Sequence, residues 1–259
     1  MSRAADSAGS PKGAGLQRAA PISVYIVDVD AAVAALEAME QETPRLAADQ
    51  IARFEHSKQA RGLDEARRWR GAHIALRLAL ERAAGPRLRG IPYEIEPGGR
   101  PRLSRAAGLS SIPDFSLAHA GSAALIGISQ IGAVGVDIEV PRPFAIGAER
   151  RQRLEQAARQ LAPGASLPDE PDARFLQAWV RLEAVAKATG LGIGRILTEA
   201  GVVGGASGRD RAATESGGAV RDLDAGDGRF AAISAAELPQ ILIVQGFPET
   251  HAALAKFAG

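Results

Sequence analysis

Two carboxylates stand two residues apart in the run Gly135-Val136-Asp137-Ile138-Glu139. Alternate residues of a strand point to one face, so Asp137 and Glu139 project together. Adjacent carboxylates repel unless a cation or proton lies between them, and an oxygen-only pair suits a hard ion such as Mg2+. Two solvated acids on an exposed face would look the same. Further along, Glu183 and Lys187 lie four apart within Trp179-Val180-Arg181-Leu182-Glu183-Ala184-Val185-Ala186-Lys187. That spacing puts both on one helix face and, taken alone, describes an ordinary ion pair. His119 ends the apolar run Phe115-Ser116-Leu117-Ala118-His119. A histidine there is more often structural than functional.

These residues need elements to hold them. Ile22–Val27 is a β-branched strand, and the Ala-rich residues 31–40 are helical up to Thr43-Pro44. From Ala47 to Ala84 the pattern predicts one or two amphipathic helices. Leu63, Ala66, Trp69, His73 and Leu76 form their buried stripe, with Arg67, Arg68, Arg70 and Arg77 on the other faces. Tyr93–Glu96 alternates like a strand before a tight turn at Pro97-Gly98-Gly99-Arg100-Pro101. Phe115–His119, Ala123–Ser129 and Val134–Val140 read as three successive strands. Helices follow at about 148–161 and 173–189, with a loop between them. Residues 201–228 form a Gly-rich excursion, and Phe230–Ala235 and Gln240–Val244 are closing strands. A short helical tail starts near Glu249.

Composition bounds the rest. The chain has 259 residues, 46% hydrophobic and 24% charged, which are globular values. It contains no cysteine, which excludes disulfides, thiolate zinc sites and cysteine nucleophiles. Lys+Arg 31 against Asp+Glu 30 leaves a net charge of +1, so no global field draws the protein to nucleic acid or membrane. Aromatics at 4% argue against a base-stacking surface. The uncharged stretch from Phe115 to Val136 is long enough to span a bilayer, but its serines, glycines, His119 and Gln130 fit two buried strands better. Residues 1–21 lack the apolar core of a signal peptide and read as a flexible leader.

In order and spacing, the motifs resemble those of the Sfp-type 4′-phosphopantetheinyl transferases. That family carries F-x-x-S-H, G-[IV]-D-[IV]-E and W-x-x-K-E-A-x-x-K, here Phe115–His119, Gly135–Glu139 and Trp179–Lys187. Gly99-Arg100-Pro101 matches its G-[KR]-P loop, and the Arg-rich block from Arg53 to Arg77 looks like its N-terminal part. The resemblance implies an α+β fold of two pseudo-symmetric halves, 22–112 and 113–247, flanking a coenzyme A cleft, with a tail at 248–259. It implies Mg2+-dependent transfer of the phosphopantetheine arm of coenzyme A to a carrier-protein serine, releasing 3′,5′-ADP. By position, Asp137, Glu139 and Glu183 match the metal acids, and Glu183 and Lys187 the catalytic pair. Lys187 also matches a phosphate contact, as do His119, Arg53 and His56 at the 3′-phosphate; Arg100 and Pro101 match the adenine loop. The expected protein is a cytoplasmic monomer, its partners coenzyme A and an acyl or peptidyl carrier protein.

Three positions depart from the pattern. The serine before His119 is Ala118, the lysine before Glu183 is Leu182, and Leu161–Ala165 lacks the carboxylate of a Phe-x-x-x-Glu element. Those departures leave a second expectation, a degenerate homologue that binds coenzyme A or a carrier without transfer. An acidic carrier would meet the cationic face Arg67, Arg68, Arg70 and Arg77, which equally describes a solvated helix face.

Overall fold

The computed structural model describes residues 21–105, 112–203 and 218–259. The expected leader, apart from Pro21, and residues 204–217 of the excursion lie outside the described residues. β1 (Ile22–Asp28) runs into α1 (Val29–Glu42), whose start is capped by the Asp28 carboxylate accepting from the Ala31 amide at 3.1 Å. Thr43 closes that helix, as expected for a residue before proline. The next block forms two helices, α2 (Ala48–Arg61) and α3 (Leu63–Ala84), broken at Gly62 with φ 91°. Only glycine takes that conformation without strain.

β2 (Tyr93–Ile95) and β3 (Pro101–Leu103) form a hairpin, followed by β4 (Asp114–Ala120), β5 (Ala123–Ser129) and β6 (Val134–Glu139). After them come α4 (Ala148–Leu161), α5 (Pro171–Thr189) and α6 (Ile193–Glu199). β7 (Ala219–Asp222), β8 (Phe230–Ala235), β9 (Val244–Gly246) and α7 (His251–Ala258) complete the chain. The fold is α+β.

One sheet has the order β4-β5-β1-β9 and a second the order β6-β8-β7. β1 pairs antiparallel with β5 (Ile22 opposite Ser129) and parallel with β9. The larger sheet therefore ties residues 22–28 to strands on the far side of the 112/113 boundary. β5 is buried on both faces, so its residues read as a continuous apolar run. Ala124, Ile126 and Ile128 pack under α1, α3 and α7, whereas Ala123 and Leu125 meet Val136, Ile138 and Ile233 of the other sheet. A third core lies among α4, α5 and α6 around Leu154, Leu176 and Leu182. Among the described residues, no helix is long and apolar enough to cross a membrane.

Some expectations need correction. The buried stripe of α3 begins at Ala66, because Leu63 on the first turn is 51% exposed. Arg77 is buried instead of surface-facing: every residue of α3 from Ile74 to Glu81 is buried. Its guanidinium is accommodated by donating to Gln50 Oε1 at 2.9 Å and to the Ile91 carbonyl at 2.7 Å, and it lies over the Tyr93 ring. The closing strand expected at 240–244 is only the three-residue β9. Ile241 and Ile243 are exposed, and the carbonyls of Pro239 and Gln240 are taken by Arg221 and not by a strand.

The turn between α1 and α2 is held by charge. Arg45 Nε donates to Glu81 at 2.7 Å with both side chains 3% exposed, and its Nη1 donates to the carbonyls of both Met39 and Thr43. Burial alone would raise the Glu81 pKa, but hydrogen bonds from Arg89 and Arg45 outweigh it and hold the carboxyl below its usual range. Stability from Glu81 is thus present above the unfolded-chain carboxylate pKa and is lost as pH falls through the lower folded value. Glu81→Gln should cost about 3 kcal/mol near neutral pH by stranding a buried guanidinium. Urea unfolding at several pH values checks this: the wild-type advantage should shrink in acid.

Candidate functional site

Gly135 lets α5 lie directly on β6. A Cβ on Gly135 would stand 2.0 Å from the Ala184 carbonyl oxygen and 2.4 Å from the Ala188 amide nitrogen. That contact sets the next residue on the same strand face, Asp137, against the helix face carrying Glu183 and Lys187. Lys187 Nζ donates to Asp137 Oδ1 at 2.6 Å and to the Val136 carbonyl at 3.2 Å. Burial pushes the Asp137 carboxyl above the usual carboxylate range; the Lys187 ammonium opposes that shift and Glu139 adds to it. Glu183 is also raised, by burial and then by the charge of Asp137, with Glu139 contributing. The three acids thus share one electrostatic field. Glu139, at the strand end, pairs with Arg142 at 3.1 Å. Among the described residues, no three Asp, Glu or His side chains converge as a metal cage.

A cavity of about 350 Å3 opens beside this contact. Arg53, Arg100, Pro101, His119, Glu183 and Lys187 line it, which brings six of the candidate residues to one wall. His56 is exposed on α2 and is not among them, nor are Asp137 and Glu139. A second cavity of similar size lies beside Arg102, Leu103 and Pro113 and touches none of the three acids.

The hairpin of β2 and β3 closes the first cavity through another backbone contact. A Cβ on Gly98 would lie 1.5 Å from the Gly190 carbonyl oxygen. Arg100 is buried and spends its guanidinium on structure: it pairs with Asp114 and donates to the carbonyls of Ala188 at 3.0 Å and Val134 at 3.3 Å. What Arg100 turns toward the cavity is its place in the turn, because its charge is already matched.

No protein-family model matches the chain. Among curated proteins it is similar to a putative 4′-phosphopantetheinyl transferase of Synechocystis sp., 35% identical over 127 residues, 46% of this chain and 50% of that protein. It is also similar to the 4′-phosphopantetheinyl transferase AcpT of Salmonella typhi, 31% identical over 132 residues, and to that of Salmonella typhimurium, 33% identical; each match covers 47% of this chain and 59% of the relative. The chain thus spans about half the length of the curated relatives it matches. These relatives support the 4′-phosphopantetheinyl transferase superfamily.

Where the chain departs from the phosphopantetheinyl transferase motifs, the structure shows what the substitutes do. Ala118 is buried between the two sheets, on the opposite strand face to the exposed His119, and is absent from the cavity wall. Leu182 is fully buried in the core of α4, α5 and α6, so a charge has been exchanged for packing. The stretch Leu161–Ala165 ends α4, and Ala165 and Ser166 offer their carbonyls to the buried Arg181, which is fixed by Asp222. Glu170 is occupied too: it caps α5, accepting from the amides of Asp172 and Ala173.

The cationic face is largely neutralised. Arg68 pairs with Asp30, Arg70 with Glu37, and Arg77 is buried.

Among the cavity residues without a site role in the sequence reading are His73 and Tyr93. His73 was legible only as one member of the α3 stripe; what faces it comes from β4 and α2.

Gly135→Ala should lower stability by about 2–3 kcal/mol, since the added methyl meets helix backbone that cannot turn aside. Gly147→Ala, with open space around it, should be near neutral. Denaturant midpoints of the two variants compare the sites directly.

Proposed function

We propose that the protein transfers the 4′-phosphopantetheine arm of coenzyme A to a serine of an acyl or peptidyl carrier protein and releases 3′,5′-ADP. The observation that carries this reading is one cavity lined by Arg53, His119, Glu183 and Lys187, with Lys187 bonded to Asp137. A ligand with more than one phosphate group fits that lining, which combines basic side chains with a lysine beside carboxylates.

Asp137, Glu139 and Glu183 do not converge as a cage in this structure, but by donor chemistry they suit a divalent hard cation: all are oxygen donors, Glu139 raises the cost of charge on Asp137, and both raise it on Glu183. They would hold Mg2+, which when bound supplies charge stabilisation at the pyrophosphate. Lys187 would hold a phosphate oxygen as the bridging oxygen gains charge. The carrier serine oxygen bonds to the phosphorus bearing the pantetheine arm, and the bond from that phosphorus to the bridging oxygen breaks. The serine proton passes to Glu183, whose raised pKa makes it a stronger base than a solvated carboxylate, and the electron pair leaves with 3′,5′-ADP.

A second reading is favoured by the Asp137–Lys187 bond, which satisfies charge internally: a homologue that binds coenzyme A or a carrier without transfer.

The two readings separate in one assay. Purified protein, coenzyme A, Mg2+ and a panel of apo carrier proteins are incubated, and carrier mass is read. A phosphopantetheine-sized gain is expected, abolished by chelator and reduced by about 100-fold or more in Glu183→Gln. Full activity in that variant removes Glu183 from the mechanism. No gain on any carrier, with coenzyme A still bound, leaves the binder.

A further inference from the structure

The hairpin that closes the first cavity has little support of its own. β2 and β3 form a separate two-stranded sheet with three paired residues, from Tyr93 opposite Leu103 to Ile95 opposite Pro101. A two-stranded hairpin is marginal by itself in water, so its position must be imposed from outside. Its far end is packed by Tyr93 on Phe115, ring centroids 5.0 Å apart, and by the buried Leu103. The turn end, where Gly98, Gly99, Arg100 and Pro101 line the cavity, is tied by charge.

Asp114, the first residue of β4, is the centre of that tie. One of its carboxylate oxygens accepts from Arg100 and the other from Arg102 at 3.3 Å. Arg102 also crosses the hairpin to Glu96 at 2.8 Å. Arg100 carries the turn to α5 by donating to the Ala188 carbonyl at 3.0 Å, and Asp114 holds that guanidinium in place. The Asp114 and Arg100 side chains are only 7% and 8% exposed, so solvent screens their pairing little. Asp114 lines the second cavity and not the first, whereas Pro101 and Phe115 line both. Any effect of Asp114 on a ligand of the first cavity therefore passes through the hairpin.

We propose that Asp114 is a positioning residue for the first cavity: its carboxylate, gripping Arg100 and Arg102, holds Gly98–Pro101 where the bound ligand meets them. This rests on the transferase reading, in which that ligand is coenzyme A. Charge and position predict opposite signs. Coenzyme A is a polyanion, and removing a nearby carboxylate would by charge alone tighten its binding. Releasing the turn weakens it.

Calorimetric titration with coenzyme A, together with transfer kinetics, compares wild type with Asp114→Asn, Asp114→Glu and Arg102→Lys. Asp114→Asn should weaken coenzyme A binding about tenfold and raise its KM by a similar factor, with kcat within about twofold, because the Gly135 contact sets Asp137 against Lys187 independently. Asp114→Glu, which keeps the charge, should regain most of the loss. Arg102→Lys keeps its charge too but loses the fork that spans Glu96 and Asp114, and should weaken binding about threefold. Arg102 is 42% exposed, so this variant serves if Asp114→Asn does not fold. Unchanged or tighter binding in Asp114→Asn, no recovery in Asp114→Glu, wild-type affinity in Arg102→Lys, or fewer binding sites at unchanged affinity overturns the proposal alone. Wild type that binds coenzyme A without transfer overturns the transferase reading and leaves the affinities to decide this one. Wild type that binds no coenzyme A overturns both.

Discussion

The site depends on how closely α5 lies on β6. With no side chain at Gly135, helix backbone reaches strand backbone, and the distance from Asp137 to Lys187 follows from that approach. A larger residue would lift the helix by more than a hydrogen bond can span. The Gly98–Gly190 contact repeats the arrangement at the helix C-terminus, where the hairpin meets α5. Both contacts join segments far apart in sequence, and the residues of the second, Gly98 and Gly190, line the cavity. The cavity wall is therefore set mainly by backbone packing, with side chains added to it. Ser116 adds a third tie, its hydroxyl accepting from the Val136 amide at 3.0 Å and fixing β4 beside β6 where no strand ladder joins them.

Charge is used in two ways. Arg45, Arg77, Arg100 and Arg181 are buried and fully engaged, each holding loops or strand ends to a helix through carbonyls and side-chain oxygens. These arginines stabilise the fold because their donors are matched. Asp137 and Glu183 are held differently, with raised pKa values that mark an environment costly for their charged forms. Groups of the second kind concentrate at functional sites, where stability is given up for reactivity. The same cavity wall holds Arg100, of the first kind, and Glu183, of the second. Sequence alone could not tell them apart: a motif arginine and a motif glutamate both look like ligand contacts until their partners are seen.

Much of this arrangement was legible in the chain. Alternation placed Asp137 and Glu139 on a strand, i,i+4 spacing placed Glu183 and Lys187 on one helix face, and the proline after Thr43 marked the end of α1. Periodicity describes an element against a single neighbour, however, and it failed where several neighbours meet. Arg77 looked exposed by pattern because nothing in α3 announces that Gln50 and Ile91 arrive to take its donors. Leu63 looked buried because the stripe was extended one turn too far, past the last residue the helix packs. The strand at 240–244 failed for want of a partner, since only Val244–Gly246 lies beside β1. His73 belonged to the apolar stripe in sequence and to the cavity wall in space. The glycines at 98 and 135 stood inside recognised motifs, but the reason for them, backbone meeting backbone, needs both partners in view.

The Asp137–Lys187 bond also bears on how a polyanion could enter. Lys187 is the ammonium among three carboxylates, and Arg142 reaches only Glu139 at the strand end. A pyrophosphate arriving alone would have to compete with Asp137 for Lys187 and would leave a buried carboxylate without its partner, at a cost of several kcal/mol. Were Asp137 to hold a divalent cation, as proposed above, the cation would replace Lys187 as its partner and leave Lys187 able to meet phosphate. The internal pairing that favours a pure binder therefore also makes unaccompanied binding unfavourable. A binder and a transferase shaped by this wall would both take coenzyme A weakly without a cation, so it is transfer to a carrier, and not binding, that separates them.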